Sequence, residues 1–184
     1  MCPSGRTDEV TIPEGVTELA DYAFYMVDEL KQYTFPDTLV RIGQDCFAHT
    51  YGLKTFNIPN SVTEIGERCF DRSGLANVTI GTGLTEIPEE AFIETKLSSV
   101  EIPGNVKTIG QGAFAQNPSL TNVVFNEGVE EIGVGAFYKA GMTELNMPNS
   151  LKSIAGNAFG NTKIGVLDIK DGLEAIGNGA FAKD

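Results

Sequence analysis

A lone histidine, His49, three cysteines and a few grouped glutamates are the side chains in this sequence with reactive chemistry to offer. A nucleophilic triad or a zinc centre needs several such groups converging, and His49 has no second histidine to work with. Cys46 and Cys69 each stand directly before a phenylalanine, where alanine stands in comparable places along the chain. Both are expected to be small buried hydrophobes. If they occupy one slot of adjacent repeats, their Cα atoms lie about 5 Å apart, a span a disulfide bridges, so oxidation would staple the two repeats. Cys2 sits in a terminal leader and is expected to be free or paired between molecules. Three cysteines are too few, and odd in number, for a disulfide framework.

Glu64 and Glu86 share one slot, with Glu67, Glu89 and Glu90 close in sequence. Calcium accepts such carboxylates, but no Asp-rich loop of ligand spacing accompanies them, and a solvated acidic face is the preferred reading. The pairs Gly110/Gly112, Gly133/Gly135 and Gly177/Gly179 are not phosphate loops, because they recur periodically and no long helix follows them. Asn77-Val78-Thr79 matches a glycosylation sequon, which matters only in a secreting eukaryote. No catalytic cluster emerges, so the chain is expected to be no enzyme and to use no cofactor and no metal.

The elements that position these residues come from a repeat. Phenylalanine recurs at Phe24, Phe47, Phe70, Phe92, Phe114, Phe137, Phe159 and Phe181, at intervals of 23, 23, 22, 22, 23, 22 and 22 residues. Five positions earlier stands Leu19, Ile42, Ile65, Ile87, Ile109, Ile132, Ile154 or Ile176. Apolar residues also recur eight, twelve, fourteen and seventeen positions before each phenylalanine, Thr7 being the polar exception. The one-residue length changes fall between the phenylalanine and the next leucine slot, where a loop absorbs them without shifting the core. The pair at fourteen and twelve alternates at period two, which predicts a strand with one buried face. Pro13, Pro36, Pro59, Gly81, Pro103 and Pro148 end that strand. A 3₁₀ or short helical turn is expected around each Ala-Phe. One such coil cannot bury its own apolar slots, so the chain must be a solenoid of about eight coils stacked at about 4.8 Å.

With 184 residues the chain is long enough for one domain with a substantial core. Its formal charge of −12 argues against binding nucleic acid or docking on an anionic membrane. No run of apolar residues is long enough for membrane insertion, and no signal peptide is visible.

The strings Ile-Pro-Asn-Ser-Val-Thr-Glu-Ile-Gly-Glu-Arg-Cys-Phe (58–70) and Ile-Pro-Gly-Asn-Val-Lys-Thr-Ile-Gly-Gln-Gly-Ala-Phe (102–114) closely resemble the BspA-type leucine-rich repeat. The resemblance runs from about Val10 to Phe181. It implies a leucine-rich-repeat solenoid: a right-handed, β-dominated α/β superhelix, with parallel strands on the concave face and short 3₁₀ or helical turns on the convex side. It also implies a cell-surface or secreted protein, adhesin-like, that binds proteins or other cells. The family often carries a cysteine after the phenylalanine; Thr50, Ser73, Thr95 and Thr162 stand in that region here. Residues 1–9 are expected to form a leader or partial cap, and 10–184 the repeat domain.

In such an arc the strand residues between the buried ones face the concave side. They form one row through Thr55, Asn77, Ser99 and Asn122 and a second through Asn57, Thr79, Glu101 and Asn146. These eight are the candidate contacts for a protein or glycan ligand, against the plainer reading of solvated strand residues. Tyr25, Tyr51 and Tyr138, on the loop side, are expected mainly to cover core edges. Leu167, Ile169, Leu173, Ile176 and Phe181 have no following coil in this sequence. Two expectations follow: a piece of a longer array, or self-association by end-to-end or edge stacking as a structural scaffold.

Overall fold

The computed structural model describes residues 9–29 and 31–183. Thr7, Cys2, Leu30 and all of the expected leader except Glu9 lie outside the described residues.

Each coil contributes two short strands, and the two sets form two rows. The first row holds β1 (Glu9–Thr11), β3 (Gln32–Thr34), β5 (Thr55–Asn57), β7 (Asn77–Thr79), β9 (Ser99–Ile102), β11 (Asn122–Phe125), β13 (Glu144–Asn146) and β15 (Val166–Asp168). The second holds β2 (Glu18–Leu19), β4 (Arg41–Ile42), β6 (Glu64–Ile65), β8 (Glu86–Ile87), β10 (Thr108–Ile109), β12 (Glu131–Ile132), β14 (Ser153–Ile154) and β16 (Ala175–Ile176). All pairings are parallel and join like slots, as in Phe56 beside Val78 and Ile109 beside Ile132. The molecule is therefore a β-solenoid whose register is the sequence repeat.

The core is the set of slots predicted from the period. Phe47, Phe70, Phe92, Phe114, Phe137 and Phe159 are fully buried. From Phe24 to Phe181 neighbouring rings stack with centroids 5.1–5.5 Å apart and planes within 8° of parallel. That spacing slightly exceeds the strand separation, as an offset stack requires. Cys46 and Cys69 lie buried in the same ladder as free thiols.

The corner around each phenylalanine differs from expectation: among the described residues it contains no helix and no 3₁₀ turn. The N–H groups there alternate in direction. Ala23, Tyr25 and Val27 donate back to carbonyls three residues earlier, whereas Tyr22, Phe24 and Met26 donate to Gln44, Cys46 and Ala48 of the next coil. A helix would turn every donor along its own axis; here half of them tie coil to coil. The alternation forces left-handed backbone two residues before and two after the phenylalanine, for example φ 50° at Asp45 and 58° at His49. Gly112, Gly135 and Gly179 fill this slot in three coils, where glycine is unstrained.

A further glycine slot has a different cause. A Cβ on Gly66 would come within 2.3 Å of the Gln44 nitrogen, so the coils close up only without a side chain there. The N–H of this slot also carries the second row: Gly43 donates to Leu19, Gly66 to Ile42, Gly110 to Ile87 and Gly133 to Ile109. The fourth coil has Pro88 here, which has no N–H to give. The second row is cut at that point, into one sheet of β2, β4 and β6 and another of β8 to β16.

A buried polar file runs behind the phenylalanines. The Thr50 hydroxyl donates to the Phe47 carbonyl at 2.6 Å, and Thr162 to Phe159 at 2.8 Å. Asn117 donates to the carbonyls of Phe92 and Phe114, and Thr95 donates to its Oδ1 at 2.8 Å. Thr50, Thr162 and Asn117 thus satisfy buried carbonyls with hydroxyls and an amide, whereas the Ser73 hydroxyl in the same file has no partner.

Candidate ligand-binding face

Alternation along the first-row strands turns one side of every strand inward and the other out. Phe56, Val100 and Leu145 are buried, and Tyr33, Val78 and Val123 pack partly against the core. Their neighbours Thr55, Asn57, Asn77, Thr79, Ser99, Glu101, Asn122 and Asn146 are all exposed. Register sets them side by side: Thr55 with Asn77, Asn57 with Thr79, and Ser99 with Asn122. Glu101 sits beside Val124, and Asn146 beside Asp168. All eight predicted residues therefore share one face.

That face is not one uninterrupted sheet. Its strands pair as β1 with β3, β5 with β7, β9 with β11 and β13 with β15. Between β7 and β9 lies a cleft of about 280 Å³, lined by Val78, Thr79, Ile80, Glu101 and Pro103. Asn126 donates to Glu101 Oε1 at 2.9 Å and fixes that carboxylate at the rim. A larger cleft of about 600 Å³ spans β1, β3 and β5. Thr55 and Asn57 line it together with Gln32, Lys54, Tyr33 and Phe35. The period alone does not mark this cleft, although two of the eight predicted residues line it. The available signal was aromatic residues at Tyr33, Phe35 and Phe56, in slots that are aliphatic in most coils.

The reactive residues lie elsewhere. His49 Nε2 stands 3.7 Å from Asp71 Oδ2, and its Nδ1 is 3.1 Å from the Tyr51 hydroxyl. Burial raises the Cys46 thiol to about 12, and raises Cys69 well above its ordinary range. Glu64 is engaged by Arg41 Nε at 3.0 Å. Among the described residues no group of three or more His, Cys, Asp or Glu side chains is arranged to hold a metal ion. Tyr138 is half-buried and its hydroxyl accepts from Asn161 at 3.0 Å; Tyr25 and Tyr51, by contrast, are exposed.

Comparison with known proteins agrees with this architecture. The family model for the BspA type leucine rich repeat region (6 copies) matches residues 4–121 and 107–184. Among solved structures, the pneumococcal vaccine antigen PcpA is 26% identical with a TM-score of 0.61, over 92% of this chain and 47% of that one. The leucine rich repeat protein of T. pallidum is 26% identical with a TM-score of 0.56, over 95% of this chain and 71% of that one. The chain thus spans about half the length of PcpA. No curated protein matches it.

Proposed function

The chain belongs to the BspA-type leucine-rich repeat family, and from that premise we propose that it is a non-enzymatic adhesion module, at the cell surface or secreted, that binds a protein or glycan through its first-row strand face. The observation that carries this is the exposed set of amides, hydroxyls and one carboxylate from Thr55 to Asn146, in register within the pairs β5–β7 and β9–β11. Short side chains such as Thr, Ser and Asn lose little rotamer entropy when they bind. Within each strand pair, at about 4.8 Å, they offer an extended ligand adjacent hydrogen bonds, each contributing about 1 kcal/mol. The clefts beside Thr79 and Thr55 break the flat surface and give a side chain or sugar ring somewhere to sit. The test is capture on immobilised extracellular-matrix proteins and glycans, comparing the wild-type chain with a variant combining Asn77→Lys and Ser99→Lys.

A second reading is a self-associating scaffold. The last coil exposes Leu167, Ile169 and Ile176 in inward slots of the repeat, and another coil stacked on it would cover them. Light scattering across a concentration series decides: growth in mass with concentration supports the scaffold, and a constant monomer mass removes it.

A further inference from the structure

We propose that Tyr22, Tyr25, Met26, His49 and Tyr51, at the phenylalanine corner of the first two coils, form a second binding surface whose occupant is a basic polypeptide segment of a partner protein.

The side chains form one strip. Tyr22 meets Tyr25 at 5.7 Å, Tyr25 meets His49 at 5.5 Å and His49 meets Tyr51 at 6.1 Å, each pair edge to face. Tyr22 and Tyr51 are each 53% exposed and Met26 is 58% exposed. Three of the five tyrosines in the chain are thus gathered on one surface, in water.

Folding does not account for them. Tyr22 and Met26 occupy the two left-handed slots of the corner, with φ 60° and 58°. Bulky residues are disfavoured in that conformation, and glycine or asparagine suits it. In other coils the same slots hold Asp45 and His49, Arg68 and Arg72, Glu90 and Glu94, or Asn157 and Asn161, polar residues throughout. A tyrosine and a methionine here bear the conformational cost and recover little of it by burial. Residues of these types on a surface earn their place by contact with a partner, since aromatic groups and methionine are enriched at interface centres.

Charge selects the occupant. Asp28 Oδ1 accepts from the Tyr51 amide at 3.2 Å, and Asp71 faces His49. Neither carboxylate has a lysine or arginine in ion-pair range among the described residues, while the nearby Arg72 is committed to Glu94 at 2.9 Å and Arg41 is shared by Glu18, Asp21 and Glu64. Asp71 is buried below the strip, so Asp28 is the exposed carboxylate beside it, and tyrosine faces next to such a carboxylate suit guanidinium and ammonium groups. The −12 charge of the whole chain attracts the same sign of partner.

The probe is a fluorescein-labelled (Arg-Gly)₄ peptide followed by anisotropy, with (Glu-Gly)₄ as control. Saturable binding of the arginine peptide is expected, with no binding of the glutamate peptide. A variant combining Tyr22→Gly and Met26→Gly is expected to bind at least tenfold more weakly while its Tm holds or rises, because glycine relieves the left-handed slots. Tyr51→Ser is the second variant, expected to weaken binding without the backbone change. Asn77→Ala, on the strand face, is expected to leave the peptide affinity unchanged, which separates this surface from the one proposed above. Equal affinity of wild type and the Tyr22→Gly/Met26→Gly variant would show attraction by net charge alone and overturn the proposal. So would a glycan that binds with that tyrosine dependence while the peptide does not.

Discussion

The ring of Phe92 stacks on that of Phe114, with centroids 5.1 Å apart and planes 8° from parallel. Phe92 is fully buried at mid-stack and touches Phe70 on its other side at 5.2 Å. Phe92→Ala removes both contacts and opens a cavity between coils that cannot close without breaking register. The expected loss is about 3–5 kcal/mol by denaturant titration. Because coils are held by their neighbours alone, a second, separate unfolding transition is expected as well. A loss below about 1 kcal/mol would contradict the ladder.

Pro88 makes a testable seam. The Lys107 amide donates to Thr85 of the coil before it, but the Thr85 amide has no equivalent bond to the third coil. Hydrogen exchange should therefore be faster at Thr85 than at Lys107. Pro88→Ala supplies the missing donor, as Ala155 does three coils later, and is expected to slow exchange at Thr85. Equal protection of the two amides in the wild type would remove the seam.

The buried thiols predict both reactivity and pH dependence. Burial raises Cys46 from its ordinary 9.0 to about 12 and holds Cys69 well above its ordinary range, so the reactive thiolate is scarce in the native state. In a Cys2→Ser background, thiol reagent at pH 8 should label neither cysteine until the chain is unfolded. Above about pH 9 the unfolded chain releases these protons and the folded one keeps them. The unfolded state then binds fewer protons, and stability falls as pH rises. Replacing both cysteines with alanine should flatten that alkaline decline, measured by denaturant titration from pH 7 to 11.

The polar file separates satisfied from unsatisfied groups. Asn117 is fully buried and bonds to Phe92, Phe114 and Thr95. Asn117→Ala strands those partners and should cost about 1–3 kcal/mol. The Ser73 hydroxyl is buried with no partner, so Ser73→Ala should be neutral or stabilising. Thermal melts of the two variants check the contrast.

Much of this fold is legible in the sequence. The slots from Leu19 to Ile176 and from Phe24 to Phe181 fixed the register, because only one alignment buries every ring. The two exposed rows followed from period two. The corner was not legible: its left-handed backbone falls on Asp45, Arg68 and Glu90 as readily as on Gly112. Hydrogen bonds between coils impose that conformation, and no local propensity announces it. The clefts were hidden for a similar reason, since strand spacing near Tyr33 and Thr79 depends on packing across coils. The change from glycine to Pro88 stood in the sequence, but its effect needed the partner carbonyl.

The central claim is that the first-row strand face holds the ligand. It is tested most directly by measuring capture of the wild-type chain and the Asn77→Lys/Ser99→Lys variant on immobilised matrix proteins and glycans, with Tm recorded for both. The account predicts a ligand retained by the wild type and lost by the variant at unchanged Tm. Equal capture of that ligand by both chains would contradict it.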